Sequence, residues 1–79
     1  MTIVKILENI YGWAWQELLR DQGFRKIVEE LKAAELEGAL RKKAADIAES
    51  VTRLEPTADN VHIIGLGRFL RRLIDRGAL

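Results

Sequence analysis

The only proline in this chain of 79 residues is Pro56, and it follows a long segment dominated by helix-favouring Ala, Leu, Glu, Lys and Arg. Proline cannot extend a helical hydrogen-bond ladder, and it pushes the preceding residue out of the α region. A helix that begins near Phe24 must therefore end by Leu54. The sequence predicts a long middle helix over residues 24–54, followed by a linker over residues 55–60.

The apolar side chains of this middle helix form two stripes that face different directions. One stripe comprises Phe24, Ile27, Val28 and Leu31. The other comprises Leu36, Leu40, Ala44, Ile47, Val51 and Leu54. The five-residue step between the stripes breaks the helical repeat. Either the helix bends between Ala33 and Gly38, or one straight helix packs against two different neighbouring elements. We expect the straight helix, with a kink near Gly38 as the alternative, because a single glycine rarely breaks a helix of this composition.

A first helix is predicted over residues 2–21, because apolar residues recur there every three or four positions. Within it, Trp13 and Trp15 are two residues apart and cannot share one helical face. One indole can enter the core, whereas the other must lie at the rim of the core, contact a partner or face water. A tryptophan outside the core would indicate an interface with another protein, because Trp is enriched at such interfaces.

Residues 61–73 read VHIIGLGRFLRRL. They resemble the first strand, turn and helix of the dinucleotide-binding domain in potassium-transport regulatory (RCK) domains, where an apolar strand precedes G-L-G-R-x-G-R-x-L. The resemblance implies a strand over residues 61–64 and a pyrophosphate bound at the start of the following helix. This sequence departs from the pattern at the third glycine, where Leu70 stands.

The same residues also fit an amphipathic helix over residues 59–76, and we favour this interpretation. Its apolar face would comprise Ile63, Leu66, Phe69, Leu70, Leu73 and Ile74. Its opposite face would comprise Arg68, Arg71, Arg72 and Arg76. These arginines could form a solvated surface paired with the acidic first half of the chain, contact an acidic protein, or contact phosphate groups. No aromatic side chain is expected among them, which argues against single-stranded nucleic acid as the partner.

Catalytic and metal-binding chemistry has few candidate residues in this sequence. The chain has no cysteine, so it can form neither a disulfide nor a thiolate metal site. Its one histidine, His62, has no serine or carboxylate at a recognisable motif spacing, and a site with two histidine ligands is excluded. We therefore expect no enzymatic activity, no cofactor and no metal.

Charge and hydropathy bear on the cellular setting. Thirteen Lys and Arg against twelve Asp and Glu leave a net charge of +1. The net charge is therefore too small to favour any one class of charged partner. The longest stretches without a charged residue have eight residues, whereas a bilayer span needs about 20 apolar residues. We expect no membrane span and a cytoplasmic location.

We predict an all-α protein with a single helical domain over residues 1–79, built from three helices and assembled as a helical-bundle oligomer. Association is expected because two apolar stripes exceed what three helices can cover internally. The expected function is that of a small non-enzymatic protein–protein interaction or assembly protein; the alternative is a nucleic-acid-binding regulator that uses the C-terminal arginines. The predicted interaction residues are Trp13, Trp15, Leu36, Leu40, Ile47, Val51, Arg68, Arg71, Arg72 and Arg76.

Overall fold

The computed structural model describes residues 2–79, and these residues form helices with no strand among them. The helices are α1 (Thr2–Tyr11), α2 (Ala14–Leu18), α3 (Gln22–Leu36), α4 (Leu40–Thr52) and α5 (Val61–Asp75). The all-α prediction is confirmed. The predicted count of three helices is wrong, because two glycines divide the first two predicted helices.

Gly38 ends the helix that we expected to continue to Leu54. Its φ of 74° lies in the left-handed region, which glycine enters without steric penalty. The N–H of Gly38 donates to the carbonyl of Glu35, and the N–H of Ala39 donates to the carbonyl of Ala34, so a Schellman motif closes the last turn of α3. The change of direction between the two apolar stripes therefore marks a turn between two helices, and the straight helix over residues 24–54 is wrong.

Gly12 ends α1 in a similar way. Its φ is 56°, and the segment predicted as one helix over residues 2–21 is split there into α1 and α2. The corner at Gly12 lets Tyr11 and Trp15, which belong to different helices, both reach Phe24 near the start of α3.

Helix α5 agrees with the amphipathic helix predicted over residues 59–76, with ends at Val61 and Asp75. Residues 61–64 belong to this helix, so the strand implied by the resemblance to RCK domains does not form. Gly77, with a φ of 73°, ends the helix as predicted, and the N–H of Ala78 donates to the carbonyl of Leu73.

Helices α4 and α5 form the most extensive helix pair in the structure. The start of α4 lies beside Arg71 and Ile74 near the end of α5, whereas Val51 near the end of α4 lies beside Gly67, so the two helices run antiparallel. A β carbon on Gly67 would overlap Cγ2 of Val51 and would stand 3.6 Å from Cα of Ala48. Glycine is therefore needed for the helices to approach this closely.

The core is built around Phe24, which has no exposed surface. The ring of Tyr11 stands edge-on to it with centroids 5.5 Å apart, and the ring of Trp15 lies 6.0 Å from it. Tyr11 also stands edge-on to Phe69 of α5, at 5.6 Å. Aromatic pairs in such arrangements stabilise a fold by about 0.5–1.5 kcal/mol beyond the area that they bury. This aromatic cluster therefore ties α1, α2, α3 and α5 together.

Alanine at Gly67 and alanine at Gly65 should have opposite effects on stability. Gly67→Ala inserts a methyl group into the contact between α4 and α5, and overpacking of this kind costs about 1–3 kcal/mol. Gly65→Ala is the matched control on the same helix, because a β carbon there meets no atom within 4 Å. This control should gain up to about 1 kcal/mol, since alanine is favoured over glycine in helices. Urea unfolding followed by circular dichroism measures both, and equal stabilities would contradict the close contact.

Tyr11→Phe should stabilise the protein. The Tyr11 hydroxyl is buried without a hydrogen-bond partner among residues 2–79, and burial raises the pKa of Tyr11 to about 12. An unsatisfied buried polar group costs about 1–3 kcal/mol, so removing the hydroxyl while keeping the ring should gain about 1 kcal/mol. Thermal unfolding of the two proteins gives the difference. A loss of stability would show that the hydroxyl has a partner, such as an ordered water molecule.

Candidate interaction surface

Trp13 is the most exposed large apolar side chain among residues 2–79, with 90% of its surface open to solvent. It lies in the corner between α1 and α2, directly after Gly12. Trp15, two residues later, is 5% exposed and contacts Tyr11 and Phe24 in the core. The two indoles thus occupy opposite environments, as we predicted from their spacing along the chain.

The apolar residues predicted for an interface differ in their exposure. Leu36 ends α3 and is 75% exposed, whereas Leu40 at the start of α4 is half-buried against the core. Ile47 and Val51 are themselves core residues. The break at Gly38 explains their burial, because it lets α4 turn its apolar stripe onto α3 and α5. The surplus of apolar surface inferred from the two stripes is therefore largely covered within the chain, and Ile47 and Val51 offer no free surface to a partner.

The four predicted arginines are all exposed, on α5 or immediately after it. Nε of Arg71 lies 3.5 Å from Oδ1 of Asp75, which is an ion pair within the helix. Within residues 2–79, the side chains of Arg68, Arg72 and Arg76 have no carboxylate oxygen within 4.0 Å. The described part of the chain therefore lacks the pairing that we considered between these arginines and the acidic first half.

Phe69, which we predicted on the apolar face of α5, is half-buried and lies where that face meets the arginines. Its ring packs on Tyr11, and Cζ of Arg72 lies 5.8 Å from its centroid, which is within the range of a cation–π interaction. Gly65, Arg68, Phe69 and Arg72 line a shallow notch of about 170 Å³. An aromatic ring is thus placed among the arginines, and the expectation that none would be there is wrong.

A basic groove, absent from our sequence-based predictions, runs between the start of α4 and the end of α5. Its cations are Arg41 and Lys42 of α4 and Arg71 of α5, above an apolar floor. The sequence alone does not reveal this groove, because Arg41 and Lys42 form the first turn of a helix only if the chain breaks at Gly38. The available signal is the run of three cations at residues 41–43, which concentrates positive charge at one place along the chain.

His62 contacts the carboxylate that caps α3. Its Nε2 lies 3.0 Å from Oδ2 of Asp21, without the alignment of a straight hydrogen bond, and the same oxygen accepts the N–H of Phe24 at 2.9 Å. The His62 side chain lowers the pKa of Asp21 most, and the N–H of Phe24 lowers it further. This contact joins the start of α5 to the start of α3.

Comparisons of this chain with protein-family models, with curated proteins and with solved structures found no match. Within residues 2–79, no helix is long and apolar enough to cross a membrane. The same residues hold no cluster of three or more His, Asp or Glu side chains placed to bind a metal ion. The exposed side chains described above are therefore the basis for a functional proposal.

Asp21→Asn should lower stability in a manner that depends on pH. Asn keeps a capping acceptor at the start of α3 but removes the charge that His62 contacts. Because folding lowers the pKa of Asp21, its carboxylate stabilises the fold above the ordinary value of 3.8, and this contribution is lost as the pH falls through the lower folded-state pKa. The variant should unfold at a lower temperature than wild type at about pH 5.5, and this difference should shrink towards about pH 2. A difference that stays constant over this range would contradict the assignment.

Proposed function

We propose that this chain is a small non-enzymatic interaction protein and that Trp13 is the anchor with which it binds another protein. The exposure of Trp13 carries this proposal. An indole almost wholly open to water stands on a chain whose other aromatic side chains are buried or half-buried. Packing within the chain therefore does not account for a large aromatic residue at this position.

Trp13 has the properties of a binding anchor. A tryptophan can bury about 150–250 Å² in a partner's pocket. Trp is also among the residue types most enriched at the positions that dominate binding energy in protein interfaces. The corner that carries Trp13 is short and is bounded by helices on both sides, so little backbone freedom is lost on binding.

The partner must offer an apolar pocket wide enough for an indole. A second copy of this chain is the first candidate, and it would give the helical-bundle oligomer that we predicted from the sequence. The exposed Leu36 would add apolar area to such an assembly. A different protein with a suitable pocket is the second candidate. A cytoplasmic setting is consistent with a chain that has no cysteine to form disulfides.

The absence of a catalytic role is also part of this proposal. His62 is the only histidine, and it contacts a carboxylate that already caps α3. Both groups are therefore engaged in joining helices, which supports a structural role for the pair.

Trp13→Ala should abolish association while leaving the fold intact. We expect wild-type protein at micromolar concentration to sediment above the 9.0 kDa of one chain, and the variant to sediment as a single chain. Because Trp13 is exposed, its removal should change the free energy of unfolding by no more than about 0.5 kcal/mol. Val61→Ala is the matched control, since Val61 is another exposed apolar residue and its truncation should leave association unchanged.

If wild-type protein sediments as a single chain, the partner is a different protein, and affinity capture from the native host becomes the measurement. A protein retained by wild type and by Val61→Ala should then be lost with Trp13→Ala. Loss of an anchor of this kind costs at least about 2 kcal/mol of binding free energy. A single-chain wild type whose captured proteins are unchanged by Trp13→Ala would overturn the proposal.

A further inference from the structure

Six cationic side chains form one exposed surface, which we call the basic face. They are Arg41, Lys42, Arg68, Arg71, Arg72 and Arg76. Arg71 makes the surface continuous, because it lines the groove with Arg41 and Lys42 and stands on the same exposed side of α5 as Arg68 and Arg72. Within residues 2–79, the only ion pair that any of these six makes is the contact of Arg71 with Asp75.

An aromatic ring is set into this basic face. Gly65, Arg68, Phe69 and Arg72 follow the i, i+3, i+4, i+7 spacing of one helical stripe and line the notch on α5. Gly65 leaves the notch open, because no atom lies within 4 Å of the position that its β carbon would take. Tyr11 supports the ring of Phe69 from the core side by an edge-on contact.

We propose that the basic face binds single-stranded nucleic acid, with the guanidinium groups on successive phosphates and one base stacked in the notch against Phe69. Single-stranded nucleic acid is bound by surfaces that combine cations along the backbone with aromatic rings on which bases stack. Five of the six cations are arginines, whose planar guanidinium can contact a phosphate through two parallel hydrogen bonds. The near-neutral charge of the whole chain does not oppose this, because phosphates contact the local surface.

The notch favours a single strand over the other polyanions that a basic face could meet. An acidic protein surface would satisfy the arginines but would make no use of an open, aromatic-lined notch between two of them. A duplex keeps its bases stacked on one another, so none is free to enter the notch. Of these polyanions, only an unpaired strand supplies both the phosphates and a free base.

Fluorescence anisotropy with the full chain and a labelled 20-nucleotide oligothymidylate tests this proposal. For about five phosphate contacts, the single-strand salt slope is about −3.5, so affinity should fall about 100-fold between 50 and 200 mM salt. A duplex of about the same length should bind at least about ten-fold more weakly, since it offers no base to stack. Polyglutamate at matched charge should compete at least about ten-fold more weakly than unlabelled oligonucleotide, because it supplies charge but no base.

Two sets of variants separate charge from stacking. Arg68→Gln with Arg72→Gln should weaken binding and reduce the salt slope by about 1.4, because two phosphate contacts are lost. Arg25→Gln with Lys26→Gln removes the same charge from an exposed part of α3 outside the basic face, and should leave binding unchanged.

Phe69→Leu tests the stacking step. It should weaken binding about ten-fold without changing the salt slope, because it removes the ring and no charge. Gly65→Leu fills the notch from an open position, keeps Phe69 and its contact with Tyr11, and should have the same effect. Circular dichroism confirms that each variant is folded.

Four outcomes would overturn the proposal. These are no binding at 50 mM salt, equal affinity for the duplex, competition by polyglutamate as strong as by the oligonucleotide, or equal losses in the α3 control and the Arg68 and Arg72 variant. Strong competition by polyglutamate would instead identify the basic face as a docking surface for an acidic protein.

Discussion

The edge-on packing of Tyr11 between Phe24 and Phe69 is the contact from which much of this structure follows. Ring centroids lie 5.5 and 5.6 Å apart in the two pairs, and they connect α1 to α3 and to α5. The corner at Gly12 joins the helices that carry Tyr11 and Trp15, and Trp13 stands in this corner outside the cluster, 90% exposed. The cluster and this corner together therefore leave an indole in solvent and hold the ring of Phe69 at the boundary beside the arginines.

The helix at residues 61–75 is predictable from sequence because its pattern, its arginines and the glycine after it all agree. The breaks at Gly12 and Gly38 are harder, since a glycine in a helix costs only about 1 kcal/mol relative to alanine, and packing can override that cost. The deciding information is the change of direction between the stripe that ends at Leu31 and the one that continues from Leu40. Two apolar stripes that face different directions can be buried in one core only if the chain turns between them. Leu36, which the pattern assigns to the second stripe, instead ends α3 and is exposed.

The same reasoning separates the predictable part of the candidate surface from the rest. The exposure of the arginines on α5 follows from local spacing alone. The spacing of the two tryptophans also predicts opposite environments, although Trp13 lies in the corner between α1 and α2 and not on a helix. The burial of Ile47 and the groove beside Arg41 depend on where α4 begins and on which helices cover it. Both features depend on tertiary contacts, because the antiparallel pairing of α4 with α5 depends on the close approach at Gly67. The spacing of residues 40–52 does not predict which side of α4 the other helices will cover.

The distribution of charge supports the proposal that the basic face binds an anion. The chain has almost as many carboxylates as cations. Among residues 2–79, three of the seven cations outside the basic face pair with a carboxylate, as Arg53 does with Glu49, against one of six within it. The macrodipole favours Arg72 and Arg76 at the end of α5, but repulsion between like charges one turn apart opposes this by similar amounts. At the start of α4 the macrodipole acts against Arg41 and Lys42, and no acidic residue occupies that first turn. Arg41 and Lys42 therefore oppose folding slightly, and a bound anion would relieve that cost.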